Sequence, residues 1–291
     1  MSSPKTSWED LARLGWPIYD VYKKANAARG GTMNGTGDIS LNAGIAAEYQ
    51  WWSYNTTIGK PYVLGRVPKD ISREEVAWSY DNSKNSQEFT DEWTESWTNT
   101  NSATLTVTNS ATISLSASIT IEDVASSGFE FTISTEASST ETKEDSHELS
   151  HTWTLSVGPG EKLTLYRVIS TVGETVEYGQ DFGIADGSLL GTKGDKYAGH
   201  YYWGMYVNTL CNAPRGRLDL HGSSKNVTYT FKLVRETKDG KKVATPLPVD
   251  AYQAKDTDAA ILGKETKWAK DSKAVFGDGT AQVMVAAPGD E

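Results

Sequence analysis

The sequence is short of the features that most often announce a function. It has one cysteine, Cys211, in 291 residues, which excludes an internal disulfide framework. Lys and Arg number 28 against 38 Asp and Glu, a formal charge of -10, so the basic footprint that nucleic acid demands is missing. No apolar run approaches the roughly 18 residues of a membrane-spanning helix. The opening MSSPKTSWEDLARLG lacks the apolar core of a signal peptide, so the expectation is a chain made soluble and released by a non-classical route. There is no Gly-x-Ser-x-Gly elbow and no glycine loop followed by Lys and Ser/Thr. His200 and His221 have no evident triad partners nearby, no repeat of 20–50 residues is visible, and no enzyme and no cofactor are expected.

What is present is aromatic residues and hydroxyls. Ten Trp and fourteen Tyr in a chain only 37% apolar favour a mainly β protein over a helical bundle. The best helix signals lie early: Ser7 and Asp10 can cap a short helix through WEDLARLG, and IYDVYKKANAAR reads as a second. RGGTMNGTG (29–37) follows as a glycine-rich linker of the kind proteases cut. Residues 38–80 read as mixed short strands around an aromatic knot at Tyr49, Trp51, Trp52 and Tyr54. A second knot holds Tyr201, Tyr202, Trp203 and Tyr206, and 226–249 reads as a hairpin turning at Asp239-Gly240. Packed inside, these knots are core; exposed, they suit a membrane interface or the stacking of sugars.

Between the knots the composition changes. Even positions from Ser86 to Glu122 are Ser, Thr or Glu nineteen times in succession, and the same holds from Glu130 to Ser156. Parity on a strand is position in space, so one face is hydroxyl and acid. DVASSG (Asp123, Val124, Ala125, Ser126, Ser127, Gly128) is the tip of a hairpin between the two arms. Folding about Ala125 sets Ile121 opposite Phe129, Ile119 opposite Phe131 and, farther out, Trp97 opposite Trp153. The odd face near the tip is apolar at Ala111, Ile113, Leu115, Ala117, Ile119, Ile121, Phe129, Phe131, Ile133 and Ala137, then turns polar at Asn109 and Glu141. That band of about eleven residues per arm has the length of a transmembrane β-strand, roughly 9–11, whereas ordinary strands average about 5–6.

A single hairpin in lipid leaves its edges unpaired, so several copies must each contribute one to a closed barrel. Odd residues would face lipid, and the lumen would be lined by Thr112, Ser114, Ser116, Ser118 and Thr120 with Glu88, Glu92, Glu122, Glu130, Glu136, Glu144 and Glu148. Segment 86–150 holds twelve acids and one base, Lys143, and rings of carboxylate favour cations. The predicted partners are therefore a target-cell membrane lipid, glycan or protein receptor and further copies of the chain.

These residues resemble the aerolysin-like β-pore-forming toxins, closest in layout to small members without a lectin domain such as monalysin. The specific part of the likeness is 86–170. It implies an elongated antiparallel β protein with an amphipathic pre-stem hairpin (104–139), membrane docking, oligomerisation and refolding of the hairpin into a barrel. It also implies an N-terminal helical segment and linker (1–37) that could act as a propeptide, with Arg29 in AARGG as the activation site. The remaining division is a recognition and scaffold region at 38–85 and 171–291 and a pore-forming region at 86–170. Two other readings compete: a lectin using the aromatic knots, and a zinc protease through His147-Glu-Leu-Ser-His151. The latter needs a helix, because on a strand four residues separate the imidazoles by about 13 Å. The polarity of the surrounding even positions favours the strand.

Overall fold

The computed structural model describes residues 3–135, 138–247 and 284–287. The chain opens with two helices, α1 (Trp8–Arg13) and α2 (Ile18–Ala28). A short strand β1 (Ile39–Ser40) and a helical turn α3 (Gly44–Glu48) lead into β2 (Asn55–Asp81). Next come β3 (Phe89–Asn109), β4 (Ser118–Ile121), β5 (Phe131–Ser134) and β6 (Thr140–Val157). The remainder is β7 (Lys162–Ile184), β8 (Leu189–Tyr197), β9 (His200–Tyr206), α4 (Val207–Leu210), β10 (Arg215–Glu236), β11 (Lys242–Leu247) and β12 (Met284–Ala286).

Five long strands form the principal sheet in the order β2-β7-β10-β3-β6, with β11 added to β10; every pairing is antiparallel. A smaller sheet runs β1-β8-β9-β12, and β4 and β5 pair only with each other. The mainly β, antiparallel class read from the sequence is the class observed. The turn expected near Asp239 joins β10 to β11, with Gly240 at φ 79.

Both early helices form where their caps dictate. Ser7 and Asp10 make a reciprocal capping box at the start of α1. At the end of α2, Gly30 N–H bonds Ala27 O at 3.1 Å and Gly31 N–H bonds Asn26 O at 2.8 Å. Positive φ at Gly30 (68) and Gly31 (81) makes this paired C-terminal cap possible. The stretch read as a linker thus begins as a helix cap.

The expectation of short strands over 38–80 is corrected, because β2 runs 27 residues. Three register shifts along its pairing with β7, between Ile58 and Tyr62, Val63 and Gly65, and Val76 and Trp78, break the period-two alternation that would have marked it as one strand. The pairing of the tryptophans is also corrected. Trp93, not Trp97, lies opposite Trp153, and Trp97 lies opposite Leu149.

Beyond Val227–Thr100 the sheet divides. There β10 turns from β3 to β11, and β3 with β6 folds over as a second layer. Trp97 and Trp153 pack on Phe231, their ring centroids 4.8 and 4.9 Å away, around Leu155, Val157, Leu163 and Leu165. A second core joins α1 and α2 to β8 and β9 through Leu11, Val21, Leu190 and Met205. A third lies under the middle of the sheet and receives the hairpin.

Candidate functional site

The alternation at 104–139 is stored, not extended. β3 ends at Asn109, residues 110–117 leave the ladder, and β4 and β5 return as a small hairpin under the principal sheet. Ile113, Ile119, Ile121, Phe131 and Ile133 are buried there against Val176, Tyr178, Leu218 and Leu220, with Ala111, Leu115 and Phe129 partly covered. On the other parity, Thr112, Ser114, Ser116, Ser118, Thr120, Glu122 and Glu130 are all exposed. Glu88, Glu92, Glu144 and Glu148 are exposed as well. Glu136 and Ala137 lie outside the described residues. Hiding five large apolar side chains from water stabilises this arrangement by about 1.5–3 kcal/mol each. Hydroxyls meet across the open face, Thr94 to Thr152 at 2.7 Å, Thr104 to Thr142 at 3.1 Å and Thr120 to Thr132 at 3.0 Å.

The expected register of the tip is corrected by one pair. Ile119 faces Ile133 and Ile121 faces Phe131, because the turn is longer than DVASSG. An even shift leaves every face as read. Val124 and Ala125 are fully buried, and Ala125 N–H donates to Tyr178 Oη at 2.9 Å. Burial, the largest influence on it, pushes the Tyr178 phenol above its ordinary value. Gly222 lies beneath the tip, where a Cβ would stand 2.8 Å from Tyr178 and 2.9 Å from Val124. At the edge of the sheet, Arg66 Nη1 donates to Ser126 Oγ at 3.1 Å and to Glu174 Oε2 at 3.0 Å.

The N-terminal helix holds the other end of the hairpin. Arg13 Nη1 donates to Thr112 O at 3.0 Å. Ser114 N–H donates to Asp10 Oδ1 at 3.3 Å, and Asn55 Nδ2 donates both to Asp10 Oδ2 at 3.2 Å and to Ser114 O at 2.8 Å. Sequence reasoning missed Asp10, Arg13, Asn55, Arg66, Tyr178 and Gly222 as parts of this site. The capping signal found Asp10, but nothing in the sequence links it to a residue 104 positions away.

No family model and no curated protein matches the sequence. Among solved structures, the parasporin-2 toxin of Bacillus thuringiensis, described as recognizing cancer cells, superposes with a TM-score of 0.53 at 19% identity, over 84% of this chain and 99% of that one. The chain has the aerolysin-like β-pore-forming toxin fold. The Mpp75Aa1.1 β-pore-forming protein of Brevibacillus laterosporus gives a TM-score of 0.41 at 15% identity, over 83% of this chain and 94% of that one. An aerolysin-like protein of Bombina maxima gives 0.28 at 10%, over 62% and 97%.

In this aerolysin-like fold the two aromatic knots become one cluster. Tyr49 stacks on Trp51 at 4.9 Å and approaches Tyr202 at 5.9 Å, and buried Trp51 lies against Gly204, where no Cβ would fit. Trp52, with Lys5 Nζ 3.6 Å over its ring, and Tyr54, Trp203 and Tyr206 are half-buried; Tyr201 is exposed. The cluster is thus core at Trp51 and surface at Tyr201. Arg29 is fully buried, its Nη2 donating to Asp195 O and Tyr201 O at 3.0 Å each, so cleavage there requires the α2 cap to open first. His147 and His151 lie on β6, opposite Asn99 and Glu95, in the extended geometry that separates them. Among the described residues no three metal-ligating side chains converge.

Proposed function

We propose that this protein is a pore-forming toxin. It binds a target membrane through a lipid, glycan or protein receptor, assembles with further copies of itself, and inserts residues 104–139 of each as one hairpin of a closed β-barrel. Odd residues face lipid, even residues line a cation-selective lumen, and no catalysis is involved. The supporting observation is the storage of the hairpin: a band of transmembrane length is kept dry beneath the sheet while its hydroxyl face already meets water. The latches are a few hydrogen bonds at α1 and Arg66, so release costs little beyond the apolar contact that lipid replaces. In this reading 1–37 acts as a restraint, and opening at Arg29 would loosen α1 from Thr112 and Ser114.

Trapped-dye release from liposomes, with and without limited trypsin, tests the activity. Binding to glycans or cells without dye release would support a lectin instead. Cysteine scanning tests the geometry. Leu115, Ser116, Ala117 and Ser118 are replaced by Cys in turn and labelled with an environment-sensitive dye. Positions 115 and 117 should turn apolar on liposomes while 116 and 118 stay wet; loss of that alternation would falsify the hairpin. The native Cys211 stays silent because burial pushes its thiol up to about 12.

A further inference from the structure

The principal sheet has two open edges, and they carry opposite charge at the same height. Following the ladders across, one row runs Arg66, Val176, Gly222, Leu105, Glu141. Three residues on, another runs Lys69, Gly173, Lys225, Ser102, Glu144. Four antiparallel steps separate β2 from β6, so the two edges also run in the same direction. Over 60–73 the β2 edge has Lys60, Arg66, Lys69 and Arg73 with one acid, Asp70. Over 141–148 the β6 edge has Glu141, Glu144, Asp145 and Glu148 with one base, Lys143. The like pair Asp70 and Asp145 shares a row.

We propose that the chain assembles with a second copy edge to edge and head to tail, the acidic β6 edge of one copy beside the basic β2 edge of the next. This rests on the oligomeric reading above and names its interface in the assembly before insertion. Like edges repel, so charge excludes the two-fold arrangements β2 on β2 and β6 on β6. Because matching charges share a height, successive copies are joined without an axial step, which lets a head-to-tail contact close into a ring instead of a filament. Val67 and Ile71, 62% and 52% exposed on the face of β2 that carries Lys69, flank the contact and lose water in it. Pro61 and Pro68 remove two donors from β2, so the contact relies on side chains more than on a continuous ladder. Arg66 serves both the stored tip and this edge: a neighbour's Glu141 competes with Ser126 and Glu174 for its guanidinium.

The test uses Lys69→Glu and Glu144→Lys, both at exposed positions away from the buried hairpin. On liposomes, each variant alone should give a weakened cross-linking ladder and need about tenfold more protein for half-maximal assembly. An equal mixture of the two should restore the ladder, as should the double variant, since each then places opposite charges at the contact. Separate chains carrying Lys69→Cys and Glu144→Cys should form disulfide-linked pairs when mixed and not alone. Added salt should weaken the wild-type ladder. A ladder unchanged by either reversal, or reversals that the mixture fails to rescue, would overturn the interface even where the wild type releases dye. An intact ladder that follows this charge pattern without dye release would leave the interface standing and sink the pore. A wild-type chain with no ladder at any concentration overturns the interface.

Discussion

Asp10 is the residue at which the N-terminal helix, the first long strand and the stored arm meet. Burial pushes its carboxyl up and is the largest single influence, yet hydrogen bonds from the Ser7 backbone and hydroxyl, the Asn55 amide and the Ser114 N–H outweigh it. The group is held below the usual carboxylate range. A carboxyl depressed by folding stabilises the protein above its unfolded value, near 4, and that contribution disappears as pH falls through the folded value. Asp10→Asn should therefore cost about 1–3 kcal/mol at neutral pH. The difference from wild type should vanish in strong acid; melting curves measured across the acid range check both statements. A gap that widens as pH falls would mean that the carboxylate is not what holds Ser114. The capping half of this role was legible from Ser7 and Asp10, whereas the clasp was not, since its partners are brought together only by the packing of α1 on the sheet.

At the scale of the element, the stored hairpin has unequal arms. Eleven residues separate Thr106 from Ser118, but only five separate Ser134 from Thr140. A continuous hairpin has to absorb the surplus of six, and extending the β3–β6 register would set Ile113, not Ile119, opposite Ile133. Six is even, so the exchange moves no side chain to the wrong face. Ile119→Cys with Ile133→Cys, oxidised in the soluble protein, should block dye release until a reductant is added. Release that is indifferent to this disulfide would show that the stored register survives in the pore. Gly222 offers the opposite perturbation, because its missing Cβ is the space under the tip. Gly222→Val should unseat Val124 and Ala125, lower the melting temperature by several degrees, from about 1–3 kcal/mol of overpacking, and shorten the lag before release. A lengthened lag would mean that the docked tip aids insertion instead of delaying it.

For the whole molecule, charge and its placement govern. The acids of 86–150 outnumber Lys143 twelve to one and account for the net charge, and those on even positions among the described residues are exposed. In planar bilayers the pore should prefer cations at neutral pH. Glu122→Gln with Glu130→Gln should move the reversal potential toward zero under a salt gradient, without changing the number of copies. Anion preference of the wild type would reverse the assignment of faces. The same acids serve two purposes in this account, since those on β6 also form one edge of the proposed contact between copies.

Chain chemistry alone determined the faces. Strand parity is a property of the backbone, so nineteen hydroxyl or acidic positions in a row define one side wherever the strand is placed. For the same reason the His147–His151 pair was already set on a strand, and Ser7 with Asp10 already began a helix. Register, partners and burial were left to the tertiary structure. Trp153 meets Trp93 because the sheet divides, Arg29 is buried because β8 and β9 close over the α2 cap, and β2 is one strand because its bulges are supported by β7. Each depends on contacts between residues far apart in the chain, whose energies no local pattern encodes. The alternation marks a hairpin able to cross a bilayer; the packing decides that it is folded away, and which bonds keep it there.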